Sequence, residues 1–417
     1  MARIRESSAG VLADQERHDE TRDSCSNGAG AVLVSSKARA EVHASHLLDQ
    51  LARREFYGWD PYDALLSPTL SRFARSKALR QAAIQANRRS PFNVRRLVGI
   101  PQLRHSMSTA MVLSALAEFP ENALSRPTTI GRELRDDLIS QKITINSGAG
   151  YGYDFDVQTR WSYYTGGTPN AVVTAFVLHA LLDHERLESF ANRDELDAIV
   201  AFACSSLRVV GPEGTFFGYY PGAVTPIHNA NVLIAGAVAR VASIDSAAWR
   251  MVRSAFDHAL QHQRPDGSWP YGARPSLGWV DGYHTAFILD GLLRRYEVDS
   301  DQHTLEALER GLHFYLTQLF DPDGAPRSTV AKRYPIDIHA AAFAVTVLAR
   351  LADFDNRSLG TATRVLNWTL DNMVREDGRF AYQMHRYRRC SISYTRWSDA
   401  PMLLALASYL KATEFHG

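Results

Sequence analysis

What this chain of 417 residues has little of already narrows its class. Cysteine is scarce: Cys25, Cys204 and Cys390 are widely separated and odd in number. That excludes a disulfide framework or a cysteine zinc site and fits a reducing compartment. An excess of one charge is missing too. The formal net charge is +1 with 22% charged residues, which leaves no electrostatic case for a nucleic acid or a membrane surface as partner. No apolar run approaches the roughly 20 residues that cross a bilayer, so no transmembrane segment is expected. The opening stretch "MARIRESSAGVLADQERHDETRDSCSNGAGAVLVSS" lacks the apolar core of a secretory signal. It is poor in aromatics and rich in Ser, Gly and charge, which predicts a disordered arm over 1–42 and a single domain over 43–417. A cytoplasmic protein is expected.

Chemical motifs are equally sparse. Neither HExxH nor CxxC occurs, and no i, i+4 histidine pair is read on a polar helix face. The glycines of "GAGYGYD" (148–154) open an aromatic loop and no helix, so they make no nucleotide cradle. A G-x-S-x-G nucleophile elbow is absent. No metal and no cofactor are expected.

What is there is a repeat. Six short helical stretches are apolar on nearly every side: 108–119, 171–182, 229–241, 284–294, 339–351 and 400–410. Taking Met111, Phe176, Val232, Phe287, Phe343 and Met402 as register marks, the intervals are 65, 56, 55, 56 and 59 residues. A helix apolar all round is a buried helix, and the many Ala, Gly, Ser and Thr let neighbours approach closely. Amphipathic segments at 193–208, 247–263, 303–320 and 361–376 lie between them and read as an outer layer. Six inner helices wrapped by outer ones make an all-α fold, an (α/α)6 toroid.

An acid–glycine turn closes the successive outer segments, in "PEGTFFGYY" (212–220), "RPDGSWPYG" (264–272), "DPDGAPR" (321–327) and "REDGRFAYQ" (375–383). The carboxylate caps its own turn and Gly takes a positive φ. The loops beyond these turns lead to the amino ends of the inner helices and are dense in Tyr, Trp, Asp, Arg and His. Flat aromatic faces stack on sugar C–H surfaces, while Asp and Arg bind hydroxyls or carboxylates, so the mouth has the composition of a glycan site.

The candidate catalytic groups there are Asp154, Asp156, Asp281, Tyr283, His284, Asp337 and His339. Candidate substrate contacts are Trp59, Asp60, Tyr153, Trp161, Tyr164, Tyr220, His228, Trp279, Arg333, Tyr394, Arg396 and Trp397. Plainer roles stand beside these. Asp281 and Asp337 lie where Asp favours an N-cap, and histidines at helix heads often serve as core or cap hydrogen-bonders. Trp269 and Phe380 follow turn glycines and read as structural wedges.

The Q-x3-G-x-W pattern of Gln263, Gly267 and Trp269 resembles the repeat motif of terpenoid cyclases and prenyltransferase β-subunits. The same turn is common in six-hairpin glycosidases, unsaturated uronyl hydrolases, polysaccharide lyases and glucuronyl C5-epimerases. The cyclase signatures DxDD and DDxxD are missing: "VDSDQH" (298–303) and "RDDLIS" (135–140) each lack the final acid. The segment "GWVDGYHTAFILDGL" is similar to the Trp-Asp-Tyr-His stretch that heads a helix in glucuronyl C5-epimerases. Over residues 45–412 the chain resembles bacterial proteins found with capsule and exopolysaccharide biosynthesis.

The resemblance implies a carbohydrate-active protein that acts on a saccharide or glycan precursor in exopolysaccharide or cell-envelope metabolism, with room for a partner in a biosynthetic complex. Hydrolysis needs two carboxyls, ~5–5.5 Å apart for retention or ~6.5–9.5 Å for inversion. The best pairs are Asp154 or Asp156 opposite Asp281 or Asp337. Uronate elimination or epimerisation instead needs a Tyr or His base with Arg333 or Arg396 on the substrate carboxylate. A terpenoid-cyclase-like enzyme predicts an apolar pocket instead. A non-catalytic glycan-binding scaffold predicts carboxylates wholly occupied as caps.

Overall fold

The computed structural model describes residues 32–120, 128–146, 148–185 and 193–416. Helix α1 covers 32–52. The short α2 (Pro68–Phe73) and α3 (Lys77–Arg89) lead to the first repeat, α4 (Ser106–Glu118) and α5 (Thr128–Ser140). The alternation continues with α6 (Ala171–Glu185), α7 (Arg193–Ser206), α8 (His228–Ala239) and α9 (Ala247–Gln261). It ends with α10 (Gly282–Asp299), α11 (Gln302–Gln318), α12 (Ile338–Arg350), α13 (Asn356–Asn372) and α14 (Ala400–His416).

The even-numbered helices from α4 to α14 pack each on the next, and α14 returns to α4, closing a ring of six. Every residue of α8 is buried. Small residues permit the approach: a Cβ at Gly236 of α8 would stand 2.9 Å from the Gly291 Cα of α10. The outer helices are stamped by caps, with Ser246, Asp301 and Asp355 accepting first-turn N–H groups of α9, α11 and α13.

Helix α1 revises the expected boundary. It takes in residues 32–42, eleven residues of the segment read as a disordered arm, while residues 1–31 lie outside the described residues. Ala40, Ala44, Leu47 and Leu51 bury their side chains in the common core. On the outer side, Arg39 reaches Asp371 and Asn367 of α13. Helix α1 is therefore the sixth outer helix, supplied from the amino-terminal side of the chain.

The acid–glycine turns are as expected. Gly267, Gly324 and Gly378 have φ of 89°, 91° and 74°. A Cβ on Gly267 would lie 2.3 Å from the Arg310 oxygen of α11 and one on Gly324 2.5 Å from the Arg364 oxygen of α13. One on Gly378 would lie 2.7 Å from His46 of α1. These three turns thus seat on the next outer helix around the ring, whereas a Cβ on Gly214 would meet nothing within 4 Å. Gln263 stitches this seat by donating to the Gly267 and Ala307 carbonyls, and the Trp269 indole donates to Ala259 from a buried position. The repeat motif is architectural.

The inner helices are parallel, and contacts at their two ends show it. At the carboxyl ends, Arg350 of α12 binds Asp290 of α10 and Glu118 of α4, and Glu118 also receives Ser408 of α14. Arg240, capping α8, binds Asp183 and His179 of α6. Midway, Phe176, Phe287 and Phe343 meet with ring centroids 4.6–5.6 Å apart and close the axis. At the amino ends the aromatic loops converge. Strands among the described residues are short: loop hairpins such as Arg208–Gly211 with Gly214–Phe217, and a three-stranded sheet that pairs Ile336–Asp337 with Gln383–Met384 and that with Arg389–Cys390. No helix among the described residues is long and apolar enough to cross a membrane.

Candidate active site at the amino-terminal mouth

Two helix heads repeat one arrangement. Asp281 precedes α10, caps it by accepting the His284 N–H at 3.1 Å, and accepts the Trp279 indole N–H at 3.1 Å. Asp337 precedes α12, caps it by accepting the His339 N–H at 2.9 Å, and accepts the Trp397 indole N–H at 2.9 Å. Gln383 completes the second carboxylate with a bond of 2.6 Å. Each unit therefore joins a Trp, an Asp and a His, because an N-cap carboxylate has lone pairs to spare for a neighbouring indole.

The two imidazoles differ in what holds Nδ1. That of His284 lies 2.7 Å from Asp281 Oδ2, and that of His339 lies 3.1 Å from the Trp397 carbonyl oxygen. A carbonyl only accepts, so His339 carries its proton on Nδ1 and keeps a lone pair on Nε2. Burial, followed by the positive charge of Arg396, holds the His339 pKa well below the usual imidazole value. Both histidines pack against Tyr283, with ring centroids 4.0 Å and 5.3 Å away. Burial, and then Asp281, keep the Tyr283 phenol protonated by raising its pKa well above normal. Burial likewise raises the Asp337 pKa.

Around this centre the aromatics form a ladder. Trp161 stacks on Trp279 at 5.4 Å, Trp279 on Tyr271 at 4.6 Å, and Tyr271 leans on His284 at 4.6 Å. Trp161 remains 41% exposed, so the ladder runs from solvent inward. Tyr153, Tyr164, Tyr219 and Tyr220 make a second cluster over the heads of α6 and α8, joined through the Tyr153–Tyr219 hydroxyl contact of 3.4 Å.

Several residues singled out in the sequence are committed to other protein groups or lie elsewhere. Asp154 is bound to His105 Nδ1 at 2.6 Å, and Asp156 organises its own loop through the Tyr163 hydroxyl and the Gly166 N–H. Asp60 is fully buried and paired with Arg396 at 2.5 Å, so neither charge is spare. Arg396 lies over the Tyr153 ring at 4.8 Å and so braces the mouth from below. Arg333 is committed to Asp321 and Asp323, both at 2.7 Å. Tyr394 has no exposed surface and lies under Arg95. Trp59 donates to Ile100 and faces a separate groove of about 730 Å³, lined also by Arg54, Arg96, Arg375 and Arg379. His228 is wholly buried against His258 and His262 of the α9 region. His258 and His262 are an i, i+4 pair, but on the inward side of the helix end rather than on a polar face, with His258 only 2% exposed.

Three neighbours of the site carried no sequence signal that singled them out. Tyr62 packs edge-on against Trp397 at 5.4 Å, and Tyr271 belongs to the ladder. Arg88 of α3 donates to the Tyr382 hydroxyl at 2.6 Å and lies over Tyr62, with no carboxylate partner among the ion pairs of the described residues.

No protein-family model matches the chain, and no curated protein sequence matches it. Solved structures do. The cellobiose 2-epimerase of Bacillus thermoamylovorans superposes with a TM-score of 0.55 at 11% identity, covering 74% of this chain and 90% of that one. An α-mannanase of Bacteroides thetaiotaomicron gives 0.53 at 13% identity, covering 75% and 86%. The Lin0763 protein of Listeria innocua gives 0.58 at 9% identity, covering 91% and 98%. At such identities the likeness is one of backbone architecture, and the chain has the (α/α)6-toroid fold.

Proposed function

We propose that the protein is a saccharide-modifying enzyme that takes a proton from a sugar carbon and returns one, as an epimerase or isomerase does, with His284 and His339 as its acid–base pair. One observation carries the reading: the two imidazoles head adjacent inner helices, each has Nδ1 held by an acceptor, and both pack on the Tyr283 ring. Neither Nε2 has a protein partner among the hydrogen bonds of the described residues.

The chemistry follows from these atoms. A sugar C–H beside a carbonyl or carboxylate gives its proton to His339 Nε2, and the electron pair moves onto the adjacent oxygen as an enolate. The Tyr283 phenol, kept protonated by burial, is a donor for that oxygen. His284, protonated on Nε2 and faced by the Asp281 carboxylate, returns a proton to carbon. His339 ends protonated and His284 neutral, and exchange with solvent resets both. The Trp161–Trp279–Tyr271 ladder offers flat faces to the pyranose rings.

Hydrolysis is less well supported, because Asp154, Asp156, Asp281 and Asp337 are each engaged by two or more protein groups or by a histidine. An isoprenoid substrate is disfavoured because the axial cavity beneath the phenylalanines measures only about 20 Å³. The scaffold reading foresees carboxylates as caps, which Asp281 and Asp337 are, but gives no reason for a neutral His339. A cellobiose 2-epimerase and an α-mannanase of the same fold agree with a saccharide substrate. The exopolysaccharide setting rests on the sequence resemblance. The test is incubation with reducing disaccharides and uronate oligosaccharides in deuterated water, followed by NMR. Deuterium should enter the carbon beside the carbonyl or carboxylate, and both His284→Asn and His339→Asn should stop it. Release of a monosaccharide without carbon-bound deuterium would overturn the reading in favour of hydrolysis.

A further inference from the structure

Outside the mouth, three histidines stand together with fewer partners than their chemistry needs. His228 is the first residue of α8, while His258 and His262 lie one turn apart at the end of α9. Their rings nest with centroids 4.6 Å, 4.6 Å and 6.2 Å apart and planes 26–38° from parallel. One nitrogen from each lies within 4.8 Å of the others.

The hydrogen bonds make the cluster unusual. His228 is 0% exposed, and neither of its ring nitrogens has a partner. His258 is 2% exposed, and its Nδ1 has none. A buried imidazole without partners is costly, and buried polar groups in proteins are nearly always bonded. His262 shows the complementary anomaly. Its Nδ1 gives its proton to the His258 carbonyl at 2.7 Å, so in the neutral ring Nε2 carries a lone pair. That lone pair faces the Glu213 carboxylate at 3.2 Å. Two electron-rich atoms face each other there, beside three imidazole nitrogens without partners. A proton on His262 relieves the Glu213 contact and leaves His228 as orphaned as before. A metal cation satisfies the three imidazoles at once, with Glu213 beside it against His262.

We propose that His228, His258, His262 and Glu213 form a binding site for a divalent transition-metal ion, zinc above all. Three imidazoles and a carboxylate are a donor set suited to zinc at four-coordinate geometry. A zinc ion about 2.0–2.1 Å from each ligand holds them roughly 3.4 Å apart; small rotations bring the three imidazoles there from within 4.8 Å, and the exposed Glu213 side chain turns in as the fourth ligand. The Nδ1–H of His262 on a backbone carbonyl is the outer bond that metal-bound histidines ordinarily keep. Arg264 adds a positive charge that opposes the ion, and Glu213 offsets it. Entry is from the surface, where the Glu213 side chain is 62% and that of His262 21% exposed.

The ion would tie α8 to α9 and to the hairpin that carries Glu213. It would also hold the mouth indirectly, because the His228 N–H donates to the Tyr271 carbonyl at 3.0 Å and Tyr271 is a rung of the aromatic ladder. This site stands whether or not the mouth performs proton transfer.

The test uses the full chain without an affinity tag, stripped with a chelator and titrated with zinc and with cobalt. One zinc per chain should bind and raise the melting temperature, and cobalt should give the intense visible bands of tetrahedral coordination. His258→Ala should weaken zinc binding at least ~100-fold, and Glu213→Gln, at an exposed side chain that folding does not need, about tenfold. Absence of zinc binding by the wild-type chain overturns the proposal. So does binding that Glu213→Gln and His258→Ala both leave unchanged.

Discussion

His339 lies flat against Trp397, with ring centroids 4.1 Å apart and planes 13° from parallel, and its Nδ1 bonds to the carbonyl of that same residue. One residue thus fixes both the plane and the tautomer of the imidazole. The depressed pKa of His339 has a direct kinetic consequence. The acid limb of kcat/KM reports the free enzyme's base, so activity should persist below the ordinary imidazole value of 6.5. A pH–rate profile for solvent deuterium uptake checks this. An acid limb above that value would assign the base to another group.

The paired helix heads separate capping from catalysis. Asn caps nearly as well as Asp, so Asp281→Asn and Asp337→Asn should each leave the melting temperature within a few degrees of wild type. Their rates should diverge. Asp281→Asn removes the counter-charge beside His284 Nδ1 and should lower kcat by ~10²-fold or more. Asp337→Asn should change kcat little, because His339 Nδ1 is held by a carbonyl. Steady-state kinetics on the two variants measures the difference.

Acid should unfold this protein earlier than its carboxylates alone require. His179 accepts from Arg240 at 2.8 Å, and burial followed by the Arg240 charge lowers its pKa to about 3. The unfolded chain binds a proton at 6.5 that the folded chain refuses until about 3. Stability therefore falls as pH drops through that window, by a few kcal/mol on the order-of-magnitude scale of 1.36 kcal/mol per unit. Asp183, held down to about 2 against burial by Arg240, adds a loss of the same sign at lower pH. Denaturant titrations at pH 7 and pH 4.5 should differ accordingly, and His179→Gln should shrink the difference.

Helix α1 should count as core. Leu47 is 0% exposed, so Leu47→Ala should cost ~2–5 kcal/mol by urea denaturation, as buried leucines elsewhere do. A cost under ~0.5 kcal/mol, as at a surface position, would mean that α1 is not part of the ring.

The inner helices were legible because a rod buried on every side has no room for a polar stripe, and six such rods in register leave few other folds. Helix α1 was not. Its apolar positions, from Leu33 through Ala40, Ala44, Leu47 and Leu51, have helical spacing, but Ser, Lys, Glu and His between them mimic a solvated arm. Asp281, Tyr283, His284, Asp337 and His339 were legible as a group from their places before two buried helices. Which of them cap, and which of their neighbours neutralise Arg333 and Arg396, depends on loops meeting in space. Arg88 sits on a helix whose sequence reads as surface, and only the fold brings it to Tyr382. The His258–His262 pair was visible, but it closes the inward side of an outer helix, where a histidine passes for a core residue.

The most direct measurement of the central claim is carbon-bound deuterium in a saccharide incubated with wild-type, His284→Asn and His339→Asn protein in deuterated water. The account predicts exchange by the wild type and a fall of ~10²–10⁴-fold in either variant, with circular dichroism unchanged. Exchange that persists at the wild-type rate in both folded variants would contradict it.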